Sequence, residues 1–168
     1  MPRLIDTKAN LLANPWVLLA KDCTLETAVA APDSHLIVPA NLWLVHKEDL
    51  QKTGKQLAVW LDSDQTAKLI ANDLGSLSMI ALNFPLFMDG RAYSTATILR
   101  KHYHYEGEIR AIGDVLRDQL FMMKRCGFTT FDLRDTVKME DAATAFNDFS
   151  NNYQTTVETP EPLFRRRG

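Results

Sequence analysis

From His35 onward the chain alternates short apolar runs with stretches of helical period. HLIV (35–38), LAVWL (57–61), SMIAL (78–82), EIRAI (108–112) and TFDL (130–133) have the length of strands, and most are bounded by Gly, Pro or Asp. Between them, Ala67, Ile70, Ala71 and Leu74 predict one amphipathic helix, and Ala92, Ala96, Leu99 and Tyr103 a second. Leu116, Leu120 and Met123 mark a third that stops near Gly127, a residue suited to a left-handed cap. Met139, Ala142, Ala143, Phe146 and Phe149 mark a fourth. Strands separated by helices of this length imply right-handed crossovers and a mainly parallel sheet. The expected fold is a single α/β domain over residues 35–150, of about five βα units, either flavodoxin-like or part of a (βα) barrel.

The flanks read differently. Residues 1–34 form an N-terminal extension in which WVLLA (16–20) is an edge strand or hairpin arm, while Asn14-Pro15 and Ala31-Pro32-Asp33 have turn chemistry. Residues 151–168 carry no period and read as a loosely ordered tail. Its Arg165–Arg167 run suits a solvated end, or docking on an acidic partner.

Composition narrows the partners. At 168 residues one domain buries about 70 % of its unfolded surface, so neither metal nor disulfide is needed to hold it. Apolar residues at 46 %, charged residues at 24 % and a formal charge of -2 point away from a nucleic-acid or membrane-surface binder. The start lacks the apolar core of a signal peptide, and no run approaches the ~20 apolar residues of a membrane span. Cys23 and Cys126, far apart, suit a reducing cytoplasm and are too few to ligate an iron–sulfur cluster.

In parallel α/β proteins ligands bind beyond the carboxyl ends of the strands. That picks out Asp62-Ser63-Asp64-Gln65, the loop from Asn83 to Ser94, Gly113-Asp114 and Arg134-Asp135-Thr136. Alternation along EIRAI puts Glu108, Arg110 and Ile112 on one face, and along TFDLR it puts Asp132 with Arg134. A guanidinium on a buried strand needs a carboxylate or an anionic ligand, and Glu108, Asp89, Asp114 and Asp132 are the candidates for Arg110. An internal ion-pair network and an anion site both fit that pattern.

Other constellations have plainer readings. Asp62-x-Asp64 could hold Mg²⁺ through oxygen, yet an Asp ahead of a helix more often caps it. His102-Tyr103-His104 with Glu106 reads as an exposed helix end, Cys126 as a structural thiol disfavoured as thiolate by the helix dipole, and Trp16, Trp43, Trp60, Met122 and Met123 as packing residues. There is no GxGxxG after a strand, no GxxxxGK[ST] and no CxxCH, so no cofactor is evident and no metal set is expected.

FPLFMDGRAYSTATILR (84–100), EGEIRAIGDVLRDQL (106–120) and RCGFTTFDLR (125–134) resemble a bacterial family, the domain of unknown function nine-three-four. Its pattern falls on Phe84, Pro85, Phe87, Asp89, Gly90, Arg91, Tyr93, Ser94, Leu99 and Arg100. It continues on Gly107, Glu108, Arg110, Ala111, Gly113, Asp114, Asp118, Gln119, Arg125, Cys126, Gly127 and Phe128. Glu106 departs from the Lys or Arg common at its place. Members are often labelled sulfite-reduction-associated proteins or oxidoreductases, and the resemblance implies work in assimilatory sulfate reduction beside the sulfite reductase haemoprotein.

The expected function is therefore an accessory or interaction protein of cytoplasmic sulfite reduction. Arg91 and Arg110, with Tyr93, Ser94 and Arg134, would line one cleft for a small oxyanion or a partner's carboxylates. An enzyme acting on a small anionic substrate, with Asp89, Glu108 or Asp114 as acid/base, is the alternative. A cofactor-dependent oxidoreductase is disfavoured by the missing motifs.

Overall fold

The computed structural model describes residues 3–86 and 89–146. Its elements run β1 (Leu4–Asp6), β2 (Val17–Leu18), α1 (Leu25–Ala30), β3 (His35–Pro39), α2 (Ala40–Gln51), β4 (Gln56–Leu61) and a 3₁₀ helix (Ala67–Ser76). They continue with β5 (Met79–Phe84), α3 (Arg91–Lys101), β6 (Glu108–Gly113), a 3₁₀ turn (Arg117–Gln119), α4 (Leu120–Cys126), β7 (Thr130–Asp132) and α5 (Met139–Ala145). All five apolar runs are strands. Phe149 and the tail fall outside the described residues.

One seven-stranded sheet has the order β1-β7-β6-β5-β4-β3-β2, parallel except where β1 meets β7. The expected α/β class holds, with two corrections. Strands number seven rather than five, because residues 4–18 supply both outer strands. The order is sequential from β2 to β7 without the reversal a flavodoxin-like sheet needs, so the sheet has no switch point and instead curls as a half-barrel.

A sequential order with right-handed crossovers puts the helices on one face of the sheet. Leu36, Val38, Val59, Leu61, Ile80, Leu82, Ile109 and Phe131 point to that face and join the main core with Trp43, Ile70, Leu99 and Met123. The intervening residues Ile37, Ala58, Trp60, Met79, Ala81 and Ile112 form a second cluster on the inner, concave face. No helix among the described residues is long and apolar enough to cross a membrane.

The inner face is closed by the N-terminal segment. Leu12 N donates to Leu4 O at 2.8 Å, at the β1 edge, while Val17 pairs with Leu36 at the other edge. The chain between reaches at most ~18 Å, whereas six inter-strand spacings laid flat measure ~29 Å. Only a curled sheet brings the two edges that near, with residues 13–16 spanning the hollow. Asn14 Oδ1 accepts from Trp16 N (3.2 Å) and from Arg110 Nη1 (3.0 Å), Trp16 packs on the inner cluster, and Trp60 Nε1 donates to Leu19 O at 2.9 Å.

Two helices went unread in the sequence, α1 and α2. The apolar residues of α2, Leu42 to Val45, bunch together instead of recurring, and Leu44 and Val45 stay exposed, so its period is masked. The stretch from Ala67 winds as 3₁₀ helix, in which residues three apart eclipse, and accordingly Ala67 and Ile70 are its buried pair. Asp73 on it accepts from Trp43 Nε1 (3.0 Å) and Lys47 Nζ (2.6 Å), which ties it to α2. Gly127 caps α4 at φ 112°, in the left-handed region.

Candidate functional site

Strand register stacks the inward side chains in layers, as in a closed (βα) barrel. Ile37, Ala58, Met79 and Glu108 form the first; Trp60, Ala81, Arg110 and Thr130 form the second. The third, at the carboxyl ends of the strands, is Asn83, Ile112 and Asp132, with Asp62 hydrogen-bonded to Asn83 (3.0 Å) and Leu4 opposite Asp132. Polarity therefore increases toward the mouth.

Arg110 lies in the middle layer with its side chain 4 % exposed. Its Nε (3.0 Å) and Nη2 (2.8 Å) both donate to Glu108 Oε1, which also accepts from Thr130 Oγ1 at 2.6 Å. Of the four carboxylates proposed as its partner, Glu108 is the one that hydrogen-bonds to it. Asp89 and Asp114 are taken by Arg91 and Arg134.

Asp132 interacts with Arg110 through charge alone. Burial pushes its carboxyl up, the Arg110 charge opposes that, and Asp135 adds to it. A raised folded value means the native state holds this proton more tightly than the unfolded chain, so stability falls as pH rises above about 3.8. Asp132→Asn should therefore stabilise the protein at neutral pH, with the gain vanishing below the unfolded value, where both side chains are uncharged. Urea melts of the two proteins at pH 3.5 and 7 test this, and an equal difference at both pH values would reject it.

Around the mouth, charges are met in pairs. Asp62 accepts from Lys21 Nζ (2.7 Å), Asn83 Nδ2 (3.0 Å) and Ser63 N (2.9 Å). Burial alone would raise its carboxyl, but these hydrogen bonds outweigh that and hold it low. Asp89 accepts both Nε (3.0 Å) and Nη2 (2.7 Å) of Arg91, whose Nη2 also reaches Ser63 Oγ at 2.9 Å. That fork, with the Arg91 amide, holds the Asp89 carboxyl well below the usual range.

Arg134 pairs with Asp114 at the rim of a cavity of about 560 Å³. The Arg134 side chain is 54 % exposed and that of Asp114 19 %. Asn83, Gly113 and the Phe84-Pro85-Leu86 segment complete the lining. Gly113, at φ 92°, lets β6 approach β5 so closely that Asp114 N donates to Phe84 O at 2.7 Å.

The expected site residues thus divide. Asp89, Arg91, Asp114 and Arg134 gather at the mouth; Arg110 lies in the middle layer and Glu108 in the layer below it, and Arg110 has no hydrogen-bonding partner in common with Arg91. Tyr93 stands edge-on to Phe84 at 5.2 Å, its hydroxyl pushed up to about 12 by burial, and Ser94 is exposed on α3. Burial also pushes both the Cys23 and the Cys126 thiols up. Among the described residues no group of three or more His, Cys, Asp or Glu could hold a metal ion.

Sequence reasoning missed Lys21 and the inward Asn83. Asn83 was within reach, since it continues the alternation of Met79 and Ala81. Lys21 sits in a segment without period, 41 residues from the carboxylate it meets.

A family model described as a bacterial protein of unknown function (DUF934) matches residues 58–164, from within β4 onward. No curated protein and no solved structure matches the chain.

Proposed function

The chain belongs to that bacterial family of unknown function, and from this we propose an accessory or interaction protein of assimilatory sulfate and sulfite reduction, working in the cytoplasm through the mouth of its sheet. The pathway in this reading rests on the resemblance, and the place of contact on the mouth. The observation that carries the reading is Arg134, a half-exposed guanidinium on the rim of an open cavity with one nitrogen engaged by Asp114. Arg offers five N–H donors in a planar fork, so this one can pair with an incoming carboxylate or oxyanion while keeping Asp114.

The tagged full chain, recovered from cells growing on sulfate as sole sulfur source, should bring down the sulfite reductase haemoprotein in stoichiometric amount, visible by mass spectrometry and by haem absorption. Arg134→Glu reverses the charge at the rim and should cut that recovery at least fivefold. A colourless chain eluting alone would overturn the proposal.

Asp132 favours a second reading, an enzyme acting on a small anionic substrate. It is a half-buried carboxyl at the strand ends whose proton affinity burial raises and the nearby Arg110 charge lowers, a group placed to exchange a proton with a ligand in the mouth. Turnover of a small anionic substrate by the purified protein, lost in Asp132→Asn, would decide for it.

A further inference from the structure

The cavity at the mouth is too large and too amphiphilic for an inorganic oxyanion, and its size and charge point to a different occupant. About 560 Å³ matches the roughly 300–1,000 Å³ of organic-ligand sites in size, yet the depression is broadly open to solvent, as a seat for an extended segment is, and a sulfite or sulfate ion fills a small part of it. One wall is apolar: Pro85 beside Leu86, which is 68 % exposed. The other wall carries Asp114 and Arg134, and Arg134 is the more exposed of the two. A ligand arriving here therefore meets positive charge first.

We infer that the mouth seats a short protein segment in which an apolar side chain adjoins a carboxylate, the apolar group against Pro85-Leu86 and the carboxylate on the outer edge of Arg134. This rests on the interaction-protein reading above and names what its partner presents. Desolvating Leu86 and a leucine- or phenylalanine-sized group supplies the attraction, and the Arg134 fork fixes register and direction. Of the carboxylates around the mouth, Asp62 is already met by Lys21 and Asp89 by Arg91, and Asp135, beside Arg134, lies 4.0 Å from Arg3.

Selection of a phage-displayed random heptapeptide library on the immobilised full chain tests the inference. Enriched sequences should pair Leu, Phe or Met with Asp or Glu within two positions, and a synthetic consensus peptide should bind in calorimetry. Leu86→Ser and Arg134→Gln, both substitutions of exposed side chains that leave the melting curve in place, should each weaken it at least fivefold. Sodium sulfite and sodium sulfate at millimolar concentration should not displace it. Enrichment of basic sequences, no enrichment, or a consensus peptide indifferent to Leu86→Ser would each overturn the seat. Recovery of the haemoprotein from cells by a Leu86→Ser chain at full yield would also overturn it, while leaving the accessory role standing.

Discussion

Glu108→Ala should lower the thermal midpoint by roughly 10 °C, reflecting about 3 kcal/mol of lost stability. The cause is the charge left behind. Glu108 Oε1 accepts both Nε and Nη2 of Arg110, and without it the guanidinium keeps Asn14 Oδ1 as its hydrogen-bonding acceptor in the middle layer. The Arg110 side chain is 4 % exposed, so in the folded protein it depends on these partners rather than on water. Glu108 is 30 % exposed, which puts the estimate at the low end for breaking a buried pair.

The same asymmetry predicts the order of single substitutions. Arg110→Met leaves a partly hydrated carboxylate that still accepts from Thr130, and should cost less than Glu108→Ala. Glu108→Leu combined with Arg110→Met removes both charges and should recover most of the loss, since ion pairs of this kind gain little over apolar residues of similar volume. Urea titrations of the three variants read it directly. If Glu108→Ala costs under ~1 kcal/mol, the pair is not what holds the inner face, and Arg110 is free to serve a ligand.

This network was half legible in the sequence. Period-two alternation is local, so placing Glu108 and Arg110 on one face needed only five residues, and the strands themselves were legible as short apolar runs bounded by Gly, Pro or Asp. What alternation cannot say is which carboxylate of four comes within reach, because Asp89, Asp114 and Asp132 are set by where the strands end. Depth likewise follows from the strand ends: Arg91 lies beyond the end of β5, while Arg110 pairs with Ala81, three residues inside it. The closure of the half-barrel was less legible still. Leu4, Asn14 and Lys21 have their partners at Asp132, Arg110 and Asp62, contacts that no window of neighbouring residues contains.

Gly113 joins fold and mouth, and Gly113→Ala should be among the most damaging single substitutions in the chain, at about 3–5 kcal/mol. Two costs add. At φ 92° an L side chain is strained by about 1–2 kcal/mol whatever the space around it. The added Cβ would also lie 2.4 Å from Asn83 Oδ1 and 2.5 Å from Phe84 O, and the second is backbone, which cannot swing aside. Relieving it means prising β6 from β5 at their carboxyl ends, where Asp114 N donates to Phe84 O and Asn83 holds Asp62.

Gly54→Ala separates the two costs, because Gly54 has a similar φ of 73° and nothing within 4 Å of its Cβ position. It should pay the conformational part alone, about 1 kcal/mol. If the two glycine variants melt alike, the close approach of β5 and β6 is not what fixes the mouth. If Gly113→Ala falls further by the margin expected, whatever of it stays folded should also have lost the consensus peptide, since Phe84, Asp114 and with it Arg134 move together. Loss of stability with binding intact would detach the cavity from the strand ends that frame it.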